Sequence, residues 1–235
     1  MELAIDTSTA HASIALSHHG ELKAEVYWHA GQNHTVELVP HLIHLFEQND
    51  TDIHRIEALM VAKGPGSFNG LRVGLATAKG LAFTLGIPLV CIGTLETTAY
   101  AHADAGFPIR PILQAGRGEI ATAVFTKDDG QWTKSFAEYV TTIDDLCSTV
   151  KEQNVFCGEI KPEQLAQLQK KLGDIVVFKE SSPFSRASYL AELGWCRIEA
   201  GYFDDPSTIQ PFYLKKPSIT KPRRRKHDAM SNMRK

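Results

Sequence analysis

Apolar and polar positions alternate along the first thirty residues. "ELAID" (2–6), "ASIALS" (12–17) and "ELKAEVYW" (21–28) read as three strands, and "HHG" at 18–20 turns the chain between the last two. The period then changes. In "NHTVELVPHLIHLFEQND", Val36, Val39, Leu42, Ile43 and Phe46 share one face of a helix, and His34, Glu37, His41, His44 and Gln48 share the opposite face. Pro40 inside this pattern is expected to kink it. A buried strand at 57–62, a helix at 68–85, a strand at 88–92 and a helix at 94–104 follow.

The second half starts again. Three strands are expected at 109–114, 119–126 and 132–140, then a helix at 142–152, a strand at 155–158, a helix at 161–172, a strand at 175–178 and a long helix at 185–201. No residue-level repeat is visible, but the order of elements repeats. The expected architecture is therefore a two-lobed α/β protein. Residues 1–105 form the first lobe and 106–216 the second, whose last helix is placed to pack back on the first. "AHADAGFP" at 101–108 marks the boundary. From Pro217 to Lys235 apolar residues are few, and this basic tail is expected to be disordered.

Composition narrows the classes. Hydrophobic residues make up 43% and charged residues 22%, as in ordinary globular proteins. The longest nearly apolar run, Leu81 to Ile92, is broken by Thr84, Gly86 and Pro88 and is too short to span a bilayer. The N-terminus has no basic segment of the secretory kind, and the four cysteines show no metal-binding spacing. A cytoplasmic protein with free thiols and no membrane contact is expected. The net charge of −2 hides an asymmetry: from Lys215 onward nine basic residues face one acid, while the rest holds 16 basic against 26 acidic groups.

Two stretches invite a chemical reading. "VAKGPGSFNGLRVGLATAKGLA" (61–82) has a glycine-rich turn between a strand and a helix, but lacks the Gly-Lys-Ser/Thr that a phosphate-binding loop requires. Gly70, Gly74 and Ala78 recur every four residues with Thr77 and Leu81 on the same side, and Phe68, Leu71, Leu75, Ala82 and Leu85 cover another part of the cylinder. Such a helix is buried on most sides, by an internal neighbour or, the reading favoured here, by a partner chain. In "AIDTSTAHASIAL", Asp6 could order a metal-bound water and Thr7, Ser8 and Thr9 could meet phosphates, as in actin-like and sugar-kinase-like ATPases. The same residues could form an Asx turn that caps a hairpin. His34, His41 and His44 share a helix face without the H-E-x-x-H signature, so a solvated or interface face is expected there rather than a metal site. Ser67 lies outside any G-x-S-x-G elbow. In the tail, Arg223, Arg224, Arg225 and Lys226 are candidates for contact with RNA phosphates, or form a solvated end.

"AIDTSTAHASIAL", "NHTVELVP", "AKGPGSFNGLRVGLATAKGLA", "GTLETTA" and "IQPFYLKK" together resemble the TsaB (YeaZ) family, in order from about residue 2 to 216. The resemblance implies an actin-like, sugar-kinase-like (ASKHA) two-lobed fold with duplicated ribonuclease-H-like cores. It implies a non-catalytic subunit that helps make threonylcarbamoyladenosine next to the tRNA anticodon. A TsaD-like catalytic paralogue binds substrate and metal, and a TsaE-like ATPase joins the pair. No cofactor of its own is implied, since ATP and metal belong to the partner subunits, and tRNA is met through the complex. Pairing through the first-lobe helices would place His34, Leu38, His41, Leu45, Phe68, Gly70, Leu71, Gly74, Thr77, Ala78 and Leu81 at the interface. The same helices could support a homodimer when the paralogue is absent. Asp6, Thr7, Ser8 and Thr9 would then be a vestigial nucleotide loop.

Three departures from the family pattern bear on this. Asn69 stands where the family usually has Thr, and Gln114 where the second-lobe loop usually has Asp. The basic extension after Lys216 is unusual. Loss of the Asp weakens the competing reading, an ATP-dependent enzyme of the actin/sugar-kinase superfamily. A third reading, a zinc peptidase, lacks its motif.

Overall fold

The structure is a computed structural model that describes residues 1–178 and 186–215. The first sheet contains β1 (Glu2–Asp6), β2 (His11–His18), β3 (Glu21–His29), β4 (Ala58–Gly64) and β5 (Leu89–Gly93), in the order β3-β2-β1-β4-β5. The strands β1, β2 and β3 pair antiparallel, whereas β4 runs parallel to β1 and β5 parallel to β4. The second sheet contains β6 (Ile109–Gly116), β7 (Glu119–Asp128), β8 (Gln131–Thr141), β9 (Asn154–Gly158) and β10 (Val176–Phe178), in the order β10-β9-β6-β7-β8. Read from the third strand of each set, the two orders are the same. The repeated element order seen in the sequence is thus a duplicated sheet topology.

Five layers result. Helices α1 (His34–Gln48) and α2 (Phe68–Leu85) cover one face of the first sheet, where Leu38, Leu42 and Leu45 meet Leu75, Ala78 and Ala82 over Leu3, Ile5, Ile14 and Leu16. The opposite face carries α6 (Arg186–Glu199), whose Ala187, Leu190, Ala191 and Leu193 pack on Ala4, Ala15, Met60 and Val90. Helix α3 (Thr94–Tyr100) seats Leu95 and Ala99 on the second sheet, against Ile109, Leu113 and Ala121. Helices α4 (Ile143–Thr149) and α5 (Pro162–Leu172) close the far side over Ile112, Ile120 and Phe156. Every residue of β1 is buried, and every residue of β4 except the half-buried Lys63, because both faces of these central strands are covered.

Several element bounds differ from the sequence expectation by a few residues, most at α3. The helix begun at Thr94 ends at Tyr100, and a short 3₁₀ turn at Ala103–Ala105 takes up the rest before Gly106, whose φ of +76° reverses the chain. Helix α1 runs through Pro40 as one α-helix. The tail residues Arg223, Arg224, Arg225 and Lys226 lie outside the described residues.

Candidate functional site

Strand β1 delivers Asp6 to the end of a central strand, and the chain turns through Thr7, Ser8 and Thr9 into β2. The Asp6 side chain forms an Asx turn, accepting from Ser8 N at 2.8 Å and Ser8 Oγ at 2.5 Å through Oδ1. Its other oxygen accepts from Arg186 Nε at 2.7 Å. Nη2 of the same guanidinium donates to Thr9 Oγ1 at 3.1 Å and to the His11 carbonyl at 2.7 Å. Both charges are buried. Burial alone would raise the Asp6 carboxyl, but the Arg186 charge and the hydrogen bonds from Arg186 and Ser8 outweigh it and hold the acid below its ordinary value. Burial likewise pushes Arg186 down, and the Asp6 carboxylate more than offsets it. The cation facing this carboxylate is therefore a side chain of the chain itself. A metal ion at Asp6 would have to displace the guanidinium.

The other loop groups are also engaged internally. Thr7 Oγ1 donates to the Gly70 carbonyl at 2.8 Å, the Ser8 carbonyl accepts from Ser67 N at 2.7 Å, and the Thr9 carbonyl lies 2.8 Å from His34 Nε2. A carbonyl only accepts, so Nε2 carries the proton and Nδ1 is left with a lone pair. The glycine-rich stretch follows from this packing. A Cβ on Gly70 would sit 2.1 Å from the Thr7 carbonyl oxygen, and one on Gly74 would sit 2.2 Å from Thr7 Oγ1. The small residues let α2 approach its own chain's loop, not a partner.

Burial divides the residues expected at the interface. His34, Leu38 and Leu45 on α1, and Gly70, Leu71, Gly74 and Ala78 on α2, are buried inside the chain. His41, Phe68, Thr77 and Leu81 are half-buried. His41 stacks beside Trp28 at 4.1 Å between ring centroids, and the Trp28 indole donates to Glu37 at 3.1 Å, so this face docks α1 on β3. The outward face is the other one. Val36, Val39 and Ile43 on α1 are 69%, 51% and 52% exposed, and Phe83 on α2 is 86% exposed. Asn69, Arg72, Ala76 and Gly80 complete the exposed side of α2. Periodicity could not separate the faces of α1, because apolar residues lie nearly all round it and the leucines took the core.

Between the lobes lies a cleft of about 340 Å³, lined by Ser8, Thr9 and Ser67 from the first lobe, by Gln114 and Glu159 from the second, and by Tyr213 and Lys215. Gln114 is tied down: Nε2 donates to the Glu159 carbonyl at 2.6 Å and to Gln164 Oε1 at 2.9 Å. Among the described residues, no group of three or more His, Cys, Asp and Glu side chains is placed to hold a metal ion, and no helix is long and apolar enough to cross a membrane.

Comparison with known proteins places this geometry. Residues 28–189 match the family model "TsaD: tRNA N6-adenosine threonylcarbamoyltransferase". The chain is 37% identical over 230 residues to the tRNA threonylcarbamoyladenosine biosynthesis protein TsaB of Haemophilus influenzae, covering 91% of this chain and 92% of that one. It is 32% identical over 152 residues to the protein of the same name from Bacillus subtilis, covering 65% of this chain and 66% of that one. Among solved structures, YeaZ from Pseudomonas aeruginosa superposes with a TM-score of 0.76 at 21% identity, over 91% of this chain and 99% of that one.

Proposed function

The chain belongs to the TsaB/YeaZ family of tRNA threonylcarbamoyladenosine biosynthesis proteins, with the actin-like, sugar-kinase-like fold, and we propose that it acts there as a non-catalytic partner subunit. Its role is to pair with a TsaD-like catalytic paralogue, which carries substrate and metal. A TsaE-like ATPase joins the pair, and tRNA is met through the complex in the cytoplasm. The chain itself holds neither ATP nor metal. The observation that carries this reading is the unpaired apolar surface of α1 and α2: Val36, Val39, Ile43 and Phe83 stand exposed on adjacent helices of one lobe. Single exposed apolar residues are ordinary, but a set on two packed helices marks a surface that another chain covers. A homodimer through the same face is the state expected when the paralogue is absent.

The loop supports the non-catalytic half of the proposal. Arg186 neutralises the loop carboxylate, Asp6, and a carboxamide, Gln114, lines the cleft together with Glu159. The competing ATP-dependent enzyme would need both positions acidic and open. The test is threonylcarbamoyladenosine formation on tRNA in a mixture of donor-making enzyme, paralogue, ATPase and ATP, with and without this chain. Product only when paralogue and this chain are both present supports the proposal. Product from this chain with the donor but no paralogue would overturn it.

A further inference from the structure

We infer that an oxyanion, a carboxylate or a phosphate, is held where the N-termini of α1 and α2 meet. A cavity of about 270 Å³ there is lined by Gln32, His34, Ser67, Phe68 and Asn69. Both helices open onto it: His34 begins α1, and Phe68 and Asn69 begin α2. These are long helices, of 15 and 18 residues, so each contributes unsatisfied N–H groups and the positive end of its dipole. The α1 terminus is left open, since the Asn33 side chain caps nothing. At α2, Ser67 Oγ accepts only from Gly70 N, at 3.2 Å. A helix start attracts anions, and here two starts address one space.

An independent observation comes from His34. Its ring is buried to 1% exposure and forms part of the cavity wall. Nε2 is committed to the Thr9 carbonyl, and Nδ1 has no partner among the described residues. A buried ring nitrogen left without a partner is costly, so its partner is expected to be something that binds. The charges around the cavity agree. The Arg72 guanidinium sits 4.0 Å above the Phe68 ring, one turn into α2. The nearest acid on α1, Glu37, is turned to the Trp28 indole. The ligand that fits presents oxygens to the helix N–H groups and shares one proton with Nδ1. Hydrogenphosphate brings that proton itself, and a carboxylate fits with one proton taken up from solvent. Asn69 lines the cavity and stands exposed on α2, so an acidic side chain of the docked partner is one source and a free ion is the other; only the first source rests on the partner-subunit reading.

The test is an NMR titration of the full chain with inorganic phosphate and, separately, acetate, following the amides of Thr35, Phe68 and Asn69 and the ring nitrogens of His34. Saturable shifts at these groups are expected. Asn69→Asp should weaken binding at least tenfold, because it places a negative charge at the mouth, while a negative charge in the first turn of α2 keeps the helix stable. No saturable shift with either ion, or equal affinity in Asn69→Asp, overturns the inference, and the cavity then holds an ordered water only. Pairing with the paralogue separates the sources. Pairing weakened tenfold or more in Asn69→Asp assigns the anion to a partner side chain, and unchanged pairing with intact phosphate binding assigns it to a free ion. If the wild-type chain does not pair at all, the partner-subunit reading fails, and the phosphate titration still decides the site.

Discussion

Arg186 and Asp6, 180 positions apart in the chain, meet as a buried ion pair with Nε 2.7 Å from Oδ2. The contact fastens the start of α6, which the chain reaches only after completing the second lobe, to the end of the first strand of the first lobe. It also explains why α6 belongs with the first sheet although it follows the second. Removing one member of such a pair leaves a buried charge without its counter-charge. Arg186→Met is expected to cost about 3–5 kcal/mol of unfolding free energy. Asp6→Asn combined with Arg186→Met should recover part of that loss. Urea unfolding followed by circular dichroism measures both, and a single-variant loss below about 1 kcal/mol would show the pair to be ornamental to stability.

The same pair fixes the direction of a pH effect. Despite burial, which pushes the acid up, the Arg186 charge and the hydrogen bonds keep the folded Asp6 carboxyl below its ordinary value. A carboxyl depressed on folding stabilises the folded state at pH values above its unfolded pKa. That contribution is lost as pH falls from the unfolded value through the folded one, because over this range the unfolded chain takes up a proton that the folded state still resists. Stability should therefore decline below about pH 4, the unfolded range of an aspartate. In Asp6→Asn this part of the acid slope should be missing. Thermal melts between neutral pH and pH 3 compare the two slopes, and identical slopes would remove Asp6 as the cause.

Gly74 gives a compensation experiment. Its Cβ, if present, would lie 2.2 Å from Thr7 Oγ1 but 3.5 Å from Thr7 Cβ. Gly74→Ala should thus lower the stability of the single chain by about 1–3 kcal/mol, as overpacked cores do. Thr7→Ala removes the offending oxygen and should offset most of that loss in the double variant, apart from the Thr7–Gly70 hydrogen bond that it gives up. A double-mutant cycle on unfolding free energies reads the coupling. Additive losses would mean that Gly74 is small for some other neighbour.

The order of elements was legible in the residues, and so was the duplication, because buried strands and amphipathic helices leave strong periodic signals. The strands β1, β4 and β9 and the helix α2 fall within a residue or two of their expected bounds. The direction each helix faces was less legible. In α1, Leu38 and Val39 are neighbours of similar hydrophobicity, yet one is buried and the other half-exposed. Nothing local distinguishes them; the choice is made by the sheet beneath. In α2 the glycine spacing suggested a close neighbour correctly, but that neighbour is the Thr7 loop, some sixty residues upstream. Arg186 carried no signal at all. An arginine at the start of a helix reads as solvated until the fold brings it to Asp6. The charge asymmetry of the tail bears on residues outside the described ones.

The outward face of α1 and α2 yields the most direct test of partner binding, because its residues do little for the single chain. Phe83 is almost fully exposed, and Ile43 is exposed on the neighbouring helix. Phe83→Ser and Ile43→Ser should each shift the unfolding free energy by less than about 0.5 kcal/mol, as surface substitutions do. At an interface the same aromatic side chain would be an anchor, and truncating such an anchor costs about 2 kcal/mol or more of binding, roughly thirtyfold in Kd. Analytical ultracentrifugation or calorimetry of the mixture with a TsaD-like paralogue measures that loss, and thermal melts of the single chain confirm that the fold is intact. The alternative, in which the glycine row of α2 meets the partner, makes the opposite forecast: Gly74 variants would weaken pairing without lowering the single chain's stability, and Phe83→Ser would do nothing. Normal pairing by Phe83→Ser and Ile43→Ser together would mean that the partner engages another surface, and the exposed apolar row would then need a different cover.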